Sequence, residues 1–209
     1  VLGLPDLYDT DYKHYTVSDW DIMCSGNYNN NNRTPPTYSA YERFFVGWLK
    51  PEQLQERGEY TLEPLQTANH AYLIATAKHN LIGDNPSPRE FFLLEYRTKT
   101  GWDKYLPGSG MLVWHIDYLA SAWYDNTLNN GPDFLRIHME EANGITWKDR
   151  SSNERGRASD PFPGTQNVTS FIPKLHDGTV LSEHNIFNIT DNSSSLSFIY
   201  QGLGEVSLT

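Results

Sequence analysis

Ser39-Ala-Tyr-Glu-Arg-Phe-Phe-Val-Gly-Trp-Leu-Lys-Pro51 is the stretch on which the fold class turns. Ser39 with Glu42 three residues on is a capping box, each side chain bonding the other's backbone N–H at a helix start. Tyr41, Phe44, Phe45, Trp48 and Leu49 fall at i, i+3, i+4, i+7 and i+8, which makes one broad apolar face. Pro51 has no N–H to offer and closes the stretch. The spacing predicts one clear amphipathic helix near the N-terminus.

Beyond Pro51 the apolar period shortens from helical to strand-like. Residues 60–65, 71–78, 90–97, 111–117, 135–141, 185–190 and 196–201 are short apolar or alternating runs, most bounded by Gly, Pro and Asn clusters. The last two, joined by Asp191-Asn-Ser-Ser-Ser195, read as a hairpin. The connections lack room for regular crossover helices, so the predicted class is α+β, with a mostly antiparallel β body after the helix. Two connections are long, 118–134 and 146–169, and loops of that length are usually functional or mobile. Within the second, Lys148-Asp-Arg-Ser-Ser-Asn-Glu-Arg-Gly-Arg157 reads as a mobile, solvated loop open to proteolysis.

Composition narrows the function classes. The 209 residues are 38% hydrophobic and include 6 Trp, 13 Tyr and 9 Phe, enough for a packed core. The net charge is −10 and the basic residues are scattered, which argues against a nucleic-acid partner, because phosphate contacts need a basic face. A single cysteine, Cys24, allows no internal disulfide and no Cys-rich zinc module. No apolar run approaches the ~18 residues of a membrane span. The low charged fraction, 20%, with abundant Asn and Ser, suits a secreted or cell-surface protein.

Gly3-Leu-Pro-Asp6 admits two readings. It is a plain turn, in which Asp bonds its own backbone. It also fits the tail of the extended zinc-peptidase motif that begins with H-E-x-x-H, where two His and a later third ligand hold the metal and the Glu is the general base. Were that second His to precede Val1, Gly3 would be the turn glycine and Asp6 the third ligand. Carboxylate oxygen is a sound zinc donor beside imidazole. Met23, before Ser25-Gly26, has the look of the methionine that lies under the metal in metzincin-like peptidases. It reads equally as a Met filling a core gap.

These blocks together resemble the immune inhibitor A family of secreted bacterial zinc metallopeptidases, which is metzincin-like. The resemblance is carried by Gly3-Leu-Pro-Asp-Leu-Tyr-Asp-Thr10, Trp20-Asp-Ile-Met-Cys-Ser-Gly26 and the Ser39 stretch ending Val46-Gly-Trp48. It continues through Phe92-Leu-Leu-Glu-Tyr-Arg97, Thr100-Gly-Trp-Asp103, Leu106-Pro-Gly-Ser-Gly110, Leu112-Val-Trp-His-Ile-Asp117 and Asp160-Pro-Phe-Pro-Gly164. The resemblance implies Asp6 as a zinc ligand, Gly3 as the turn and Met23 as the Met-turn residue. It also implies a protein or peptide substrate cleaved by metal-activated water. Residues 1–50 would end the peptidase core, and 51–209 would form a β-rich C-terminal subdomain of the catalytic domain. Loop length and position in the chain, rather than the resemblance, suggest that the β body and its two long loops shape the primed side of the cleft.

One departure is decisive. His14, His70, His79, His115, His138, His176 and His184 include no pair at i, i+4, and no H-E-x-x-H helix is present. Two zinc ligands and the general base would lie upstream of Val1. The chain is therefore expected to be inert by itself, with the N-terminal half of the catalytic domain as its missing partner. Tyr28, five residues past Met23, reads first as a packed Tyr and is kept as a candidate substrate contact. His115, on a strand with Met111 and Val113 on its face, reads first as a core His with one hydrogen bond and is kept as a candidate substrate contact. Asp9, Asp11, Asp19 and Asp21 raise calcium as a ligand, although capping or solvated Asp accounts for them as well. The alternative function is a non-catalytic β-rich binding module for carbohydrate or protein, or a degenerate peptidase scaffold.

Overall fold

The computed structural model describes residues 2–202. Eight strands form, β1 Glu52–Gln53, β2 Gly58–Leu62, β3 Tyr72–Ile74, β4 Glu90–Arg97, β5 Gly110–Asp117, β6 Ile137–Glu140, β7 Ile186–Asp191 and β8 Leu196–Tyr200. One sheet has the order β1-β3-β4-β5-β6 and the other β2-β8-β7. All pairings are antiparallel except β1 with β3. The protein is α+β with mostly antiparallel sheets, and β7 and β8 form the expected hairpin.

The central strands are buried at nearly every position because both of their faces are covered. Phe91 and Leu93 of β4, with Leu112, Trp114 and Ile116 of β5, pack in one core that also holds Leu7, Val17, Trp20, Tyr41 and Phe44. Phe92, Leu94 and Tyr96, with Met111 and Val113, pack on the other face against Leu62, Ile186, Leu196 and Phe198 of the smaller sheet. Alternation with period 2 thus separates two apolar cores rather than core from solvent. Residues before β1 cover one face of the large sheet, and the small sheet covers the other.

The expected amphipathic helix is shorter than its apolar period. The capping box forms, with the Ser39 N–H donating to Glu42 at 2.7 Å and the Glu42 N–H to the Ser39 hydroxyl at 3.3 Å. The helix nevertheless spans only Ala40–Phe45. Gly47 takes φ +78°. The Gly47 N–H then donates to the Phe44 carbonyl at 3.1 Å and the Trp48 N–H to that of Arg43 at 2.7 Å. This is the Schellman stop that a glycine past the last turn permits. It acts four residues before Pro51, leaves Trp48 51% exposed, and buries Leu49 from the chain beyond the turn. Helix elsewhere among the described residues is also short, at Asn29–Asn32, Leu65–Ala68 and Ala120–Tyr124.

Charged groups are buried beneath this helix start. Glu95 of β4 accepts the Ala40 N–H, and Arg97 lies between Glu95 and Asp103. Asp21 and Glu42 approach the same Ser39. Burial pushes the Asp21 carboxyl up to about 6. Burial first, and then the Asp21 charge, push Glu42 well above the usual carboxylate range. The folded pair holds protons that the unfolded chain releases near pH 4. Its contribution to stability is present in acid and is lost as pH rises from about 4 through about 6. Glu42→Gln keeps the capping acceptor and removes the charge. Urea midpoints should therefore show Glu42→Gln gaining on the wild type between about pH 5 and pH 8. A pH-independent difference between the two proteins counts against the shared titration.

Candidate functional site

The Asp6 segment docks on the Met23 turn. The Leu7 N–H donates to the Met23 carbonyl at 2.9 Å, and Leu7 is buried while Met23 packs half-buried on the first core. The turn is held by Asp21, whose carboxylate accepts the Met23 N–H at 2.8 Å and whose carbonyl accepts the Gly26 N–H at 2.9 Å. A Cβ on Gly26 would come within 2.4 Å of that carbonyl oxygen, so the close approach requires glycine there. Gly3 has φ +74° and open space around it, so its backbone conformation is what favours glycine.

Three asparagines from the long 118–134 connection run along this segment. Asn126 accepts the Asp6 N–H and donates to the Asp6 carboxylate, both at 2.7 Å. Asn129 donates to the Leu7 carbonyl at 2.8 Å, and the Asn130 amide both accepts from and donates to Thr10. The Tyr8 hydroxyl adds a bond to Asp6 at 3.2 Å, and burial together with the Asp6 charge pushes that hydroxyl up to about 12. Asp6 faces a cleft of about 290 Å³ that also exposes Tyr8, Tyr12, His14 and Tyr28. Tyr28 stands on the rim, 57% exposed. Asp6, Met23 and Tyr28 therefore share one neighbourhood, bounded by a loop whose asparagines carry no sequence signal beyond its length.

Residues 148–157 are mostly exposed, as expected of a solvated loop, but Arg150 anchors the stretch from within. The Arg150 side chain is fully buried, 3.7 Å above the Tyr15 ring, and bonds Glu141 at 2.6 Å and the Arg155 carbonyl at 2.5 Å. Asp160 accepts from the Trp20 indole at 3.1 Å, and the Gly156 N–H donates to Asp19 at 3.0 Å. Arg150 and Arg155 thus tie the loop to the N-terminal segment, while Asp149 and Arg157 bond within the loop. The other aspartates are also spent on hydrogen bonds and ion pairs within the chain. Asp9 accepts the N–H groups of Asp11, Lys13 and His14, and Asp19 pairs with Arg155. They do not gather into a calcium cage.

His115 lies elsewhere. It projects from the face of the large sheet opposite the Met23 core, in the row Phe92, His115, His138 that register draws across β4, β5 and β6. Its nitrogens lie 3.0 Å from Glu140 and 3.0 Å from Glu90, rather than making the one hydrogen bond expected of a core His. His176, on a turn between bridged Lys174 and Val180, stacks on His115 at 4.2 Å and gives its backbone N–H to Glu90 at 2.7 Å. Burial would lower the His115 pKa, but the bonds to Glu140 and Glu90 outweigh it and hold the ring above its ordinary value. Burial keeps His138 below its ordinary value. The one nitrogen offered by each of His115, His138 and His176 lies within 4.8 Å of the others, and among the described residues this is the group compact enough for a metal. His138 and Glu140 sit at i, i+2 on one strand and so share a face, a signal that spacing along the chain already carries. His176 offers no such signal.

No family model and no curated protein sequence matches the chain. No helix among the described residues is long and apolar enough to cross a membrane.

Proposed function

We propose that this chain forms one wall of the active site of a secreted zinc endopeptidase, with Asp6 as a metal ligand. The observation that carries this reading is the Asp6 carboxylate, oriented by Asn126 and Tyr8 on the edge of an open cleft and docked through Leu7 on the Met23 turn. Outer hydrogen bonds of this kind fix the orientation of metal-binding carboxylates, so the donor present fits zinc. Two histidines and the glutamate base would come from an H-E-x-x-H segment outside these 209 residues. The zinc ion, when bound, would activate water and polarise the scissile carbonyl. Within the chain, Asn126 and Tyr8 hold the carboxylate still, Met23 supports the loop from below, and Tyr28, exposed on the cleft, would meet substrate. The 118–134 and 146–169 connections border this region.

The test begins with the codons immediately upstream of Val1, where any sequence other than H-E-x-x-H defeats the reading. In the protein extended through that segment, zinc content and casein cleavage should both be lost in Asp6→Ala, cleavage by more than about 100-fold. Retention of both in that variant removes Asp6 from the site. The 209-residue chain by itself should cleave nothing.

A second reading has its own observation. Trp48 and Trp102, both more than half exposed, flank Tyr38 in an apolar groove of about 460 Å³. Exposed indoles in a groove are what a carbohydrate-binding module would present. The upstream codons separate the two, since a sequence without H-E-x-x-H favours the groove.

A further inference from the structure

We propose that His115, His138 and His176 are the protein ligands of a divalent transition-metal ion that staples the 174–180 turn to strands β5 and β6. The site is distinct from the Asp6 cleft, lies on the other side of the large sheet, and does not depend on the peptidase reading.

Convergence of the rings is the first argument. Cross-strand register sets His138 directly opposite His115, and the 174–180 turn brings His176 onto the same spot. The three ligand atoms lie within 4.8 Å of one another. Imidazoles on one tetrahedral ion stand about 3.4 Å apart, so closure needs side-chain rotations of roughly an ångström. Rotation of His115 turns one nitrogen from a carboxylate toward the ion and breaks its parallel stack on His176.

Unmet bonding is the second. Nδ1 of His138 and both ring nitrogens of His176 are buried with no hydrogen-bond partner. His176 Nδ1 lies 3.5 Å from Glu90 and 3.8 Å from Asp117, close enough for charge attraction but too far for a hydrogen bond. Buried polar atoms are nearly always paired, and His138 and His176 each have an unpaired ring nitrogen beside the other, while His115 would exchange one of its carboxylate bonds for the ion. A metal ion supplies the missing partner.

The surroundings complete the site. Glu140 lies 3.0 Å from His115 and 3.4 Å from His138, and Glu90 lies 3.0 Å from His115. Carboxylates behind imidazoles are the usual outer layer of a histidine metal site, where they orient the rings and raise their basicity. Glu90 and Glu140 also balance a double positive charge, while Arg89 and Arg136 are both engaged by Asp117 at 3.2 Å. Three nitrogens select Zn²⁺, Co²⁺, Ni²⁺ or Cu²⁺ over calcium, which takes oxygen. Phe92 beneath His115 and Phe134 against His176, at 4.2 and 4.3 Å, wall the site with aromatic rings.

The test uses the intact 209-residue chain, stripped with chelator and titrated with Co²⁺ while its visible absorption is followed. One equivalent should bind with bands of a nitrogen-rich, low-coordinate site, and Zn²⁺ should displace it. His176→Ala and His138→Gln should each weaken Co²⁺ binding at least 100-fold, given that even outer-layer changes cost 10–100-fold. Far-UV circular dichroism checks that each variant is folded, and His176→Ala, on a surface turn, leaves both cores intact. Zn²⁺ should raise Tm in the wild type and not in these variants. Asp6→Ala should bind Co²⁺ as the wild type does. Absence of Co²⁺ binding overturns the proposal, as does one-equivalent binding unchanged in both histidine variants.

Discussion

Arg97→Met is expected to destabilise the protein by about 3–5 kcal/mol, the usual cost of breaking a buried ion pair from one side. The Arg97 side chain is fully buried. Its guanidinium reaches Asp103 through Nε at 2.9 Å and Nη2 at 2.7 Å, a two-point fork, and reaches Glu95 through Nη1 at 3.0 Å. A further bond from Nη2 meets the Thr37 carbonyl at 3.1 Å. Methionine fills part of the volume but leaves two carboxylates facing each other without a cation, and those carboxylates have other duties. Glu95 accepts the first N–H of the Ala40–Phe45 helix, and Asp103 accepts the Thr37 N–H at 2.8 Å. Losing the cation therefore loosens the helix start and the loop before it together. Arg97→Lys keeps the charge without the fork and should fall between the wild type and Arg97→Met. Urea unfolding reads all three proteins. A loss below about 1 kcal/mol in Arg97→Met would mean that the pair contributes no more than a surface ion pair does.

Asn129→Leu should cost about 2–4 kcal/mol, through unpaired backbone rather than lost volume. Asn129 has no exposed surface. Its amide nitrogen donates to the carbonyls of Leu7 and Ile137 at 2.8 and 2.9 Å, and its oxygen accepts the Ile137 N–H at 3.1 Å. One side chain thus joins the Asp6 segment to the start of β6. Leucine matches the volume and leaves the three backbone groups without partners. Asn129→Ala should lose at least as much. Hydrogen exchange supplies the local readout, with the Leu7 amide losing protection as the Asp6 segment comes off the sheet. If Asn129→Leu is as stable as the wild type, the asparagine ladder is not what holds that segment.

The two variants probe opposite kinds of information in the chain. Arg97 is in a strand that its own residues announce, since Glu90 to Arg97 reads as a β run and forms one over the same residues. Nothing local marks it as the centre of a buried charge group, because Asp103 reaches it from a loop and Thr37 from sixty residues away. Asn129 is harder still to foresee. Its partners Leu7 and Ile137 lie on different elements, and an Asn in a long loop ordinarily bonds its own turn.

The helix shows the same division within a few residues. Ser39 and Glu42 form their capping box because the two groups are three residues apart and no distant partner is needed. The apolar period through Leu49 continues past the helix because Leu49 is buried from a different conformation, after Gly47 has turned the chain. Burial pattern and backbone conformation part company once a glycine permits a left-handed residue.

Taken alone, the sequence determined the class of the fold, the positions of its main strands, the start of its helix, and Asp6 and Met23 as residues worth placing together. Those features arise from contacts within a turn or from side-chain alternation along a strand, where spacing is geometry. The tertiary structure alone decided that Asn126 would hold Asp6 from 120 residues away, and that Arg150 would be the buried anchor of an otherwise exposed loop. It also decided that His115 would leave the Asp6 side of the sheet and meet His138 and His176 on the other. Cross-strand register and loop docking set those meetings, and both are settled only when the two cores are packed.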